Sequence, residues 1–232
     1  DKENYKFSSF RILKVFKSKY EDEKFVKPSK VLKKIKKLKF AAFHTRNVPH
    51  LAHQWIHKYL FNKYDGLLIH PMIGQYKSGE YKDSTILKLN QLVKSEYKNE
   101  NVFVFPFFSY PRYGGPREAA LHALVRRNYG CKYFWIGRDH AGIKDFYDIY
   151  ESQKFCKKIE KKINIKIIAE HEPYFCKNKS KILNNCSCNN NCKIKISGTL
   201  IRKLIRSGRK IPNYLMSKKI SKNLGKNSLI KF

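Results

Sequence analysis

Histidines supply the first chemistry in this sequence. His44, His50 and His53 fall in the stretch FAAFHTRNVPHLAH, which reads as an apolar strand, a polar turn and the start of a helix. A loop that leaves a strand and opens a helix offers backbone N–H groups and the positive end of the helix dipole. His50 and His53, three apart, meet on one side of the first turns, where an imidazole can donate to an anion's oxygens whether neutral or charged. Arg46, in the turn with Thr45 and Asn47, can hold a second anion through its planar fork. The same residues also suit the polar end of a buried strand carrying surface histidines. Zinc fits less well, because a catalytic zinc takes a third ligand and often uses i,i+4 spacing. His57, one turn further, reads as a partly exposed helix residue.

GRDHAG (137–142) repeats the pattern on a second loop. Gly137 and Gly142 permit close backbone approach, Arg138 and His140 supply donors, and Asp139 reads as a structural residue that orients a donor or caps a turn.

The elements that must position these loops can be read from periodicity. Apolar runs at 39–43, 66–71, 101–108, 132–137 and 164–170 predict strands. Between them, helix-period segments at 49–62, 84–97, 117–130 and 151–163 predict helices, with Leu51, Trp55, Ile56 and Tyr59 expected on the inner side of the first. Pro28-Ser29 marks a start for a further, lysine-rich helix. Strand–helix alternation with short links points to an α/β fold with a doubly wound, mainly parallel sheet. Ligands bind at the carboxyl ends of such strands, which is where HTRN, the 110–115 loop and GRDHAG all fall. Beyond residue 170 a cysteine- and asparagine-rich loop precedes a short helix that Ser197 or Thr199 can cap and Gly208 can close.

The formal charge of +32 invites a polyanionic partner. Only ten of the 50 basic residues are arginine, however, and the lysines are spread without a block or a stacking-aromatic motif. That pattern matches codon drift in an AT-rich genome, and nucleic-acid binding is not the expected function. No apolar run approaches the roughly 18 residues of a membrane span. A soluble cytoplasmic protein is the expectation, or one of an organelle matrix if the source is eukaryotic.

Taken together, these stretches resemble the ATP sulfurylase (sulfate adenylyltransferase) family. HTRNVPHLAH is similar to the family's Q-T-R-N-P-x-H-x-x-H stretch, and GLLIHPMIGQYKSGE to its GLL-x-HP-x-x-G-x-x-K-x-GD segment. YPRYGGPREAALHALVRRNYGC resembles its M-R-Y-A-G-P-R-E-A-x-x-H-A-x-x-R-x-N-[YF]-G-C run. GRDHAG matches in full, and ISGTLIRKLIRSGRKIP resembles the I-S-G-T-x-x-R-x-x-x-x-x-G-x-x-x-P segment.

The resemblance implies a Rossmann-like nucleotidyltransferase domain at 40–170, preceded by a remnant or linker at 1–39. The Cys-rich loop and a small helical C-terminal subdomain would occupy 171–232. The family's N-terminal domain would be missing, and no P-loop announces a fused kinase. The implied reaction joins sulfate to the α-phosphate of ATP with release of pyrophosphate, in either direction, with Mg²⁺ riding on the ATP. The alternative is a degenerate relative that binds nucleotide or a partner without turnover; a homo-oligomer is compatible with either. The implied catalytic loop is Thr45, Arg46 and Asn47. Sulfate would be bound by His44, Arg46 and the backbone of Ala141. ATP would be bound by that loop with His44, His50, His53, Gly137, Arg138, Asp139 and His140, with an adenine contact near Glu172.

Two departures stand inside the catalytic loop: His44 replaces the family's glutamine, and the proline falls at Pro49, one place later than in the family. A charged His44 would strengthen anion binding and alter the pH dependence. Some bacterial relatives carry a C-x2-C…C-x3-H zinc site in the region of Cys176, Cys186, Cys188 and Cys192. Here Lys179 stands at the second ligand position and Cys186 is the candidate replacement, for a tetrahedral zinc that would brace the loop. Free thiols in a polar insertion are the other reading.

Overall fold

The computed structural model describes Val31, Lys33, Ile35 and residues 37–231 apart from Gln75, Tyr76 and Lys144. The helix start expected at Pro28-Ser29 lies outside these residues. Five parallel strands form the main sheet in the order β3-β2-β1-β5-β6. They are β1 (Phe40–Thr45), β2 (Gly66–Ile73), β3 (Val102–Val104), β5 (Tyr133–Trp135) and β6 (Lys166–Ile168). The expected single strand at 101–108 is broken at Phe105-Pro106, because proline has no N–H to give the ladder. Its second part, β4 (Phe107–Phe108), pairs with the far end of β2.

Helices α1 (Leu51–Lys63), α2 (Asp83–Glu96), α3 (Gly115–Asn128) and α4 (Glu151–Ile163) connect the strands. Successive residues of β1 feed opposite faces of the sheet, as strand geometry requires. Phe40 and Ala42 pack with Phe134, Ala119, Ala123 and Cys156, under α3 and α4. Ala41 and Phe43 pack with Ile69, Ile56 and Leu60, under α1. Burial on both faces explains why β2 is buried throughout and reads as a continuous apolar run. On α1 the buried residues are Ala52, Ile56, His57 and Leu60; Leu51, Trp55 and Tyr59 are only partly covered.

The segment beyond residue 170 is more ordered than its composition suggests. β7 (Tyr174–Cys176) pairs antiparallel with β8 (Lys181–Leu183) and β9 (Lys193–Lys195). The short α5 (Gly198–Arg206) follows, with the Ser197 hydroxyl accepting from the Leu200 N–H, and Gly208 ends it at φ +68°. α6 (Lys218–Ser221) lies further along. Val48 and Ala52 share a buried cluster with Ile86 and Leu89 of α2 and with Ile201, Ile211, Leu215 and Leu229. The C-terminal part is therefore welded to α1, α2 and the loop after β1 by a common core. Residues 228–230 also bond to the 79–82 segment through Gly79 N–H to Ile230 O and Ile230 N–H to Glu80 O.

Candidate active site

β1 is central and β5 is its neighbour, so the loops after their carboxyl ends lie side by side. A cleft of about 240 Å³ opens between them. Its lining includes His44, Thr45, Arg46, Asn47, His50 and His53 from the first loop and helix start, and Gly137, Arg138, Asp139, His140 and Ala141 from the second. All the anion-binding positions expected from the sequence thus face one space.

The first loop is tightly tied. The Thr45 hydroxyl accepts from the Asn47 N–H at 3.0 Å. The Asn47 Oδ1 accepts from Arg202 Nη1 of α5 at 2.5 Å. Val48 turns inward to the shared core at 1% exposure. The shifted Pro49 is buried and leads into His50, which caps α1 with its ring: Nδ1 accepts from the His53 N–H at 3.3 Å. The Leu51 N–H is also taken, by Leu215 O at 3.0 Å. The helix start thus offers an anion fewer backbone donors than the sequence implied. The imidazoles carry that task instead, with His50 and His53 ring centroids 3.7 Å apart and His53 Nδ1 buried without a protein partner.

The second loop bends sharply. Asp139 and Ala141 both take left-handed backbone (φ +50° and +59°) on either side of His140. Such conformations are costly for non-glycine residues and cluster at functional sites. The strain is offset by Asp139 N–H donating to Ile149 O at 2.7 Å, and by Ala141 O accepting from the Gly115 N–H at 2.9 Å. A side chain at Gly142 would collide with Asp139 Oδ1, which accounts for the closing glycine of GRDHAG. Arg138 Nε pairs with Glu172 Oε1 at 2.8 Å, and the Tyr150 hydroxyl donates to Glu172 Oε2 at 3.0 Å.

Several site residues are not picked out by type or spacing in the sequence. His122 of α3 lies with its Nδ1 3.0 Å from His140 Nε2 and stacks on His44 at 4.3 Å. Buried Glu118 accepts from the Arg112 and Gly114 N–H groups, each at 3.0 Å, and fixes the turn that carries Tyr113. The Arg46 guanidinium lies over the Tyr113 ring, 5.3 Å from its centroid. Arg126, fully buried, contacts His44, and Lys195 joins the rim. Apart from Lys195 all lie in the YPRYGGPREAALHALVRR stretch, whose similarity to the family run was the available signal.

The electrostatics overturn one expectation. Burial pushes His44 well below its ordinary value, helped by His122, Arg126, His140 and His70. Burial also lowers His50 to about 3 and His140 to about 3, the latter aided by Arg126 and Arg46. These imidazoles are neutral at pH 7, so His44 is not the charged ligand the sequence allowed. His57 is likewise not a surface residue: it is fully buried, with Nδ1 2.7 Å from the Tyr97 hydroxyl.

A family model described as ATP-sulfurylase matches residues 23–227. The chain belongs to the ATP-sulfurylase family. It is 36% identical over 184 residues to a sulfate adenylyltransferase of Ignicoccus hospitalis, a match covering 78% of this chain and 48% of that protein. A sulfate adenylyltransferase of Pyrococcus abyssi is 38% identical over 178 residues, covering 75% and 47%. The chain spans about half the length of the curated relatives it matches. Among solved structures, a hexameric APS kinase from Thiobacillus denitrificans superposes with a TM-score of 0.65 at 16% identity, over 86% of this chain and 39% of that one. That likeness shows the fold. Among the described residues, no helix is long and apolar enough to cross a membrane.

In this chain the four cysteines also converge. Cys176 Sγ lies 3.5 Å from Cys192 Sγ and 3.9 Å from both Cys186 Sγ and Cys188 Sγ, and Cys186 is 4.0 Å from Cys192. These separations are far too long for disulfides, and a tetrahedron with metal–sulfur bonds of about 2.3 Å has edges of about 3.8 Å. Exposed Lys179 is not part of the group, and Cys186 occupies the fourth corner. The Tyr174 hydroxyl donates to Cys186 Sγ at 3.1 Å, holding that thiol down at about 6.

Proposed function

We propose that the chain carries the catalytic part of a sulfate adenylyltransferase, joining sulfate to the adenylyl group of ATP with release of pyrophosphate. The carrying observation is the convergence of the HTRN loop, the His50–His53 helix start and the GRDHAG loop on one cleft.

Sulfate is fully ionised, so its attack on the α-phosphorus needs no general base. The demand on the protein is to hold two mutually repelling anions in line and to neutralise the charge that builds up in the transition state. In this reading Arg46, steadied by Tyr113, binds sulfate with His44 and the backbone N–H of Ala141. Asn47 presents its amide to the phosphates with Thr45 beside it. His50, His53, His140 and the Gly137–Arg138 backbone hold the triphosphate, and the 170–173 segment borders the base. Neutral imidazoles suit the task, since they donate a hydrogen bond without trapping the product by a full charge. Mg²⁺ would arrive on the ATP phosphates and offset their charge. Two of the cleft acids are already engaged, Glu118 with backbone amides and Glu172 with Arg138.

The four-cysteine cluster is proposed as a structural zinc site: its sulfur spacing matches a closed tetrahedron, and it ties β7 to the 186–192 loop.

Sulfate-dependent exchange of labelled pyrophosphate into ATP tests the reading. The full chain should catalyse it, and Arg46→Ala or His140→Ala should reduce it by at least about a hundredfold. A folded sample with no exchange above background, yet with calorimetric ATP binding, would reject turnover and leave a nucleotide-binding protein.

A further inference from the structure

We propose that Arg126 is a positioning residue that holds His44 as the Nε2–H tautomer, so that a neutral imidazole N–H is presented to the anion in the cleft. The proposal rests on the reading of this cleft as an anion site. Arg126 Nη2 lies 2.7 Å from His44 Nδ1. A guanidinium has only donors, so Nδ1 must be the acceptor, and a neutral ring then carries its hydrogen on Nε2. The half-buried His44 lines the cleft, and with Nδ1 engaged from behind, Nε2 is the nitrogen available to a ligand.

Arg126 is itself held in place. It is fully buried, Nη1 donates to His122 O at 3.1 Å, Nη2 reaches His70 O at 3.5 Å, and its guanidinium lies over the rings of Phe107 and Phe134 at 4.5 and 5.5 Å. Among the described residues no carboxylate pairs with it. A fixed cation behind Nδ1 opposes a second proton on the ring and polarises the Nε2–H bond toward the cleft. The other groups facing His44 are His122, His140 and His70, and none is a carboxylate that could stabilise an imidazolium.

The same contact decides against another use of this cluster. His44, His122 and His140 could bring three nitrogens to one metal ion. A metal on His44 Nε2 would require the hydrogen on Nδ1, pointing at the N–H of Arg126. The arrangement therefore suits an anion, and divalent cations should bind there poorly.

The test is the tautomer itself. In ¹⁵N-histidine-labelled full chain at pH 7, two-bond ¹H–¹⁵N correlations should show His44 as the neutral Nε2–H form. Inorganic sulfate should shift the Nε2 and not the Nδ1 resonance. Arg126→Leu should weaken the preference for Nε2–H toward the modest intrinsic preference of a free imidazole. If that variant does not fold, the wild-type spectrum still decides. An Nδ1–H or doubly protonated His44, or a sulfate response confined to Nδ1, would overturn the proposal. The Nε2–H form with the sulfate shift but without pyrophosphate exchange would sustain it while removing the adenylyltransferase reading.

Discussion

The guanidinium of Arg202 and the amide of Asn47, 155 residues apart in sequence, form one clamp: Nη1 donates to Oδ1 at 2.5 Å. Because arginine can only donate, the bond also settles which atom of the Asn47 amide is the oxygen. Arg202 is shared with Glu80 at 3.4 Å, and Arg206, one turn on, donates to Gly79 O at 2.9 Å. A Cβ on Gly198 would run into the Asn47 amide, so the glycine that opens α5 is there to admit it. The ISGTLIR segment acts on the cleft through Asn47.

Arg202→Met should therefore leave the fold intact and lower pyrophosphate exchange by about 10- to 100-fold, the range for one charged hydrogen bond. Arg202→Lys should recover part of it. Exchange rates alongside a circular-dichroism melt separate the two effects; an unchanged rate in the Met variant would show that the clamp is idle.

Tyr113→Leu removes the ring beneath Arg46. A cation–π contact of about 0.5–2 kcal/mol corresponds to a rise in the KM for sulfate of roughly 2- to 30-fold, with kcat much less affected. Equal losses in both parameters would place Tyr113 elsewhere in the mechanism.

Acid should destabilise the protein. Seven of the eight histidines are pushed below their ordinary value, in each case first by burial. Below about pH 6.5 the unfolded chain takes up protons that the native state does not, so stability falls as pH falls. The loss reaches about 1 kcal/mol per pH unit for each such histidine while it remains neutral in the folded state. Melting temperatures measured between pH 7.5 and 5.5 should drop steeply; a flat profile would mean that the imidazoles are solvated.

Chain purified without chelator should hold one zinc per molecule by elemental analysis. Stripping it with a strong chelator should lower the melting temperature by roughly 5–10 °C. Cys192→Ser should lose the metal, and Cys131→Ser, a buried thiol outside the cluster, should keep it. Zinc retained equally by both variants would refute the site.

The sequence carried the alternation of strands and helices and both candidate anion-binding loops, because those signals are local. α4 runs from Glu151 to Ile163, the span read from periodicity alone. What it hid was which polar groups are buried. His57 looks like any polar helix residue, and only the packing of Tyr97, forty positions later, gives its ring a buried partner. The β7–β9 sheet is not legible in the sequence because strands of three residues, two of them opening on lysine, leave no alternation to detect. Arg126 and Arg202 were equally hidden as supporting residues, since their roles depend on contacts across 82 and 155 positions.

The clamp also sets an order of assembly. A growing chain exposes β1 and its loop early and GRDHAG much later, so both halves of the cleft exist before α5 has been made. Arg202 reaches Asn47 only once the segment that follows β9 has joined the core through Ile201, Leu215 and Leu229. A chain released too soon would carry the cleft's histidines but not the fixed amide. Packing of the α5 segment is thus a condition for the site to be fully set, and chains that lack it differ from those that have it in the geometry of a single side chain.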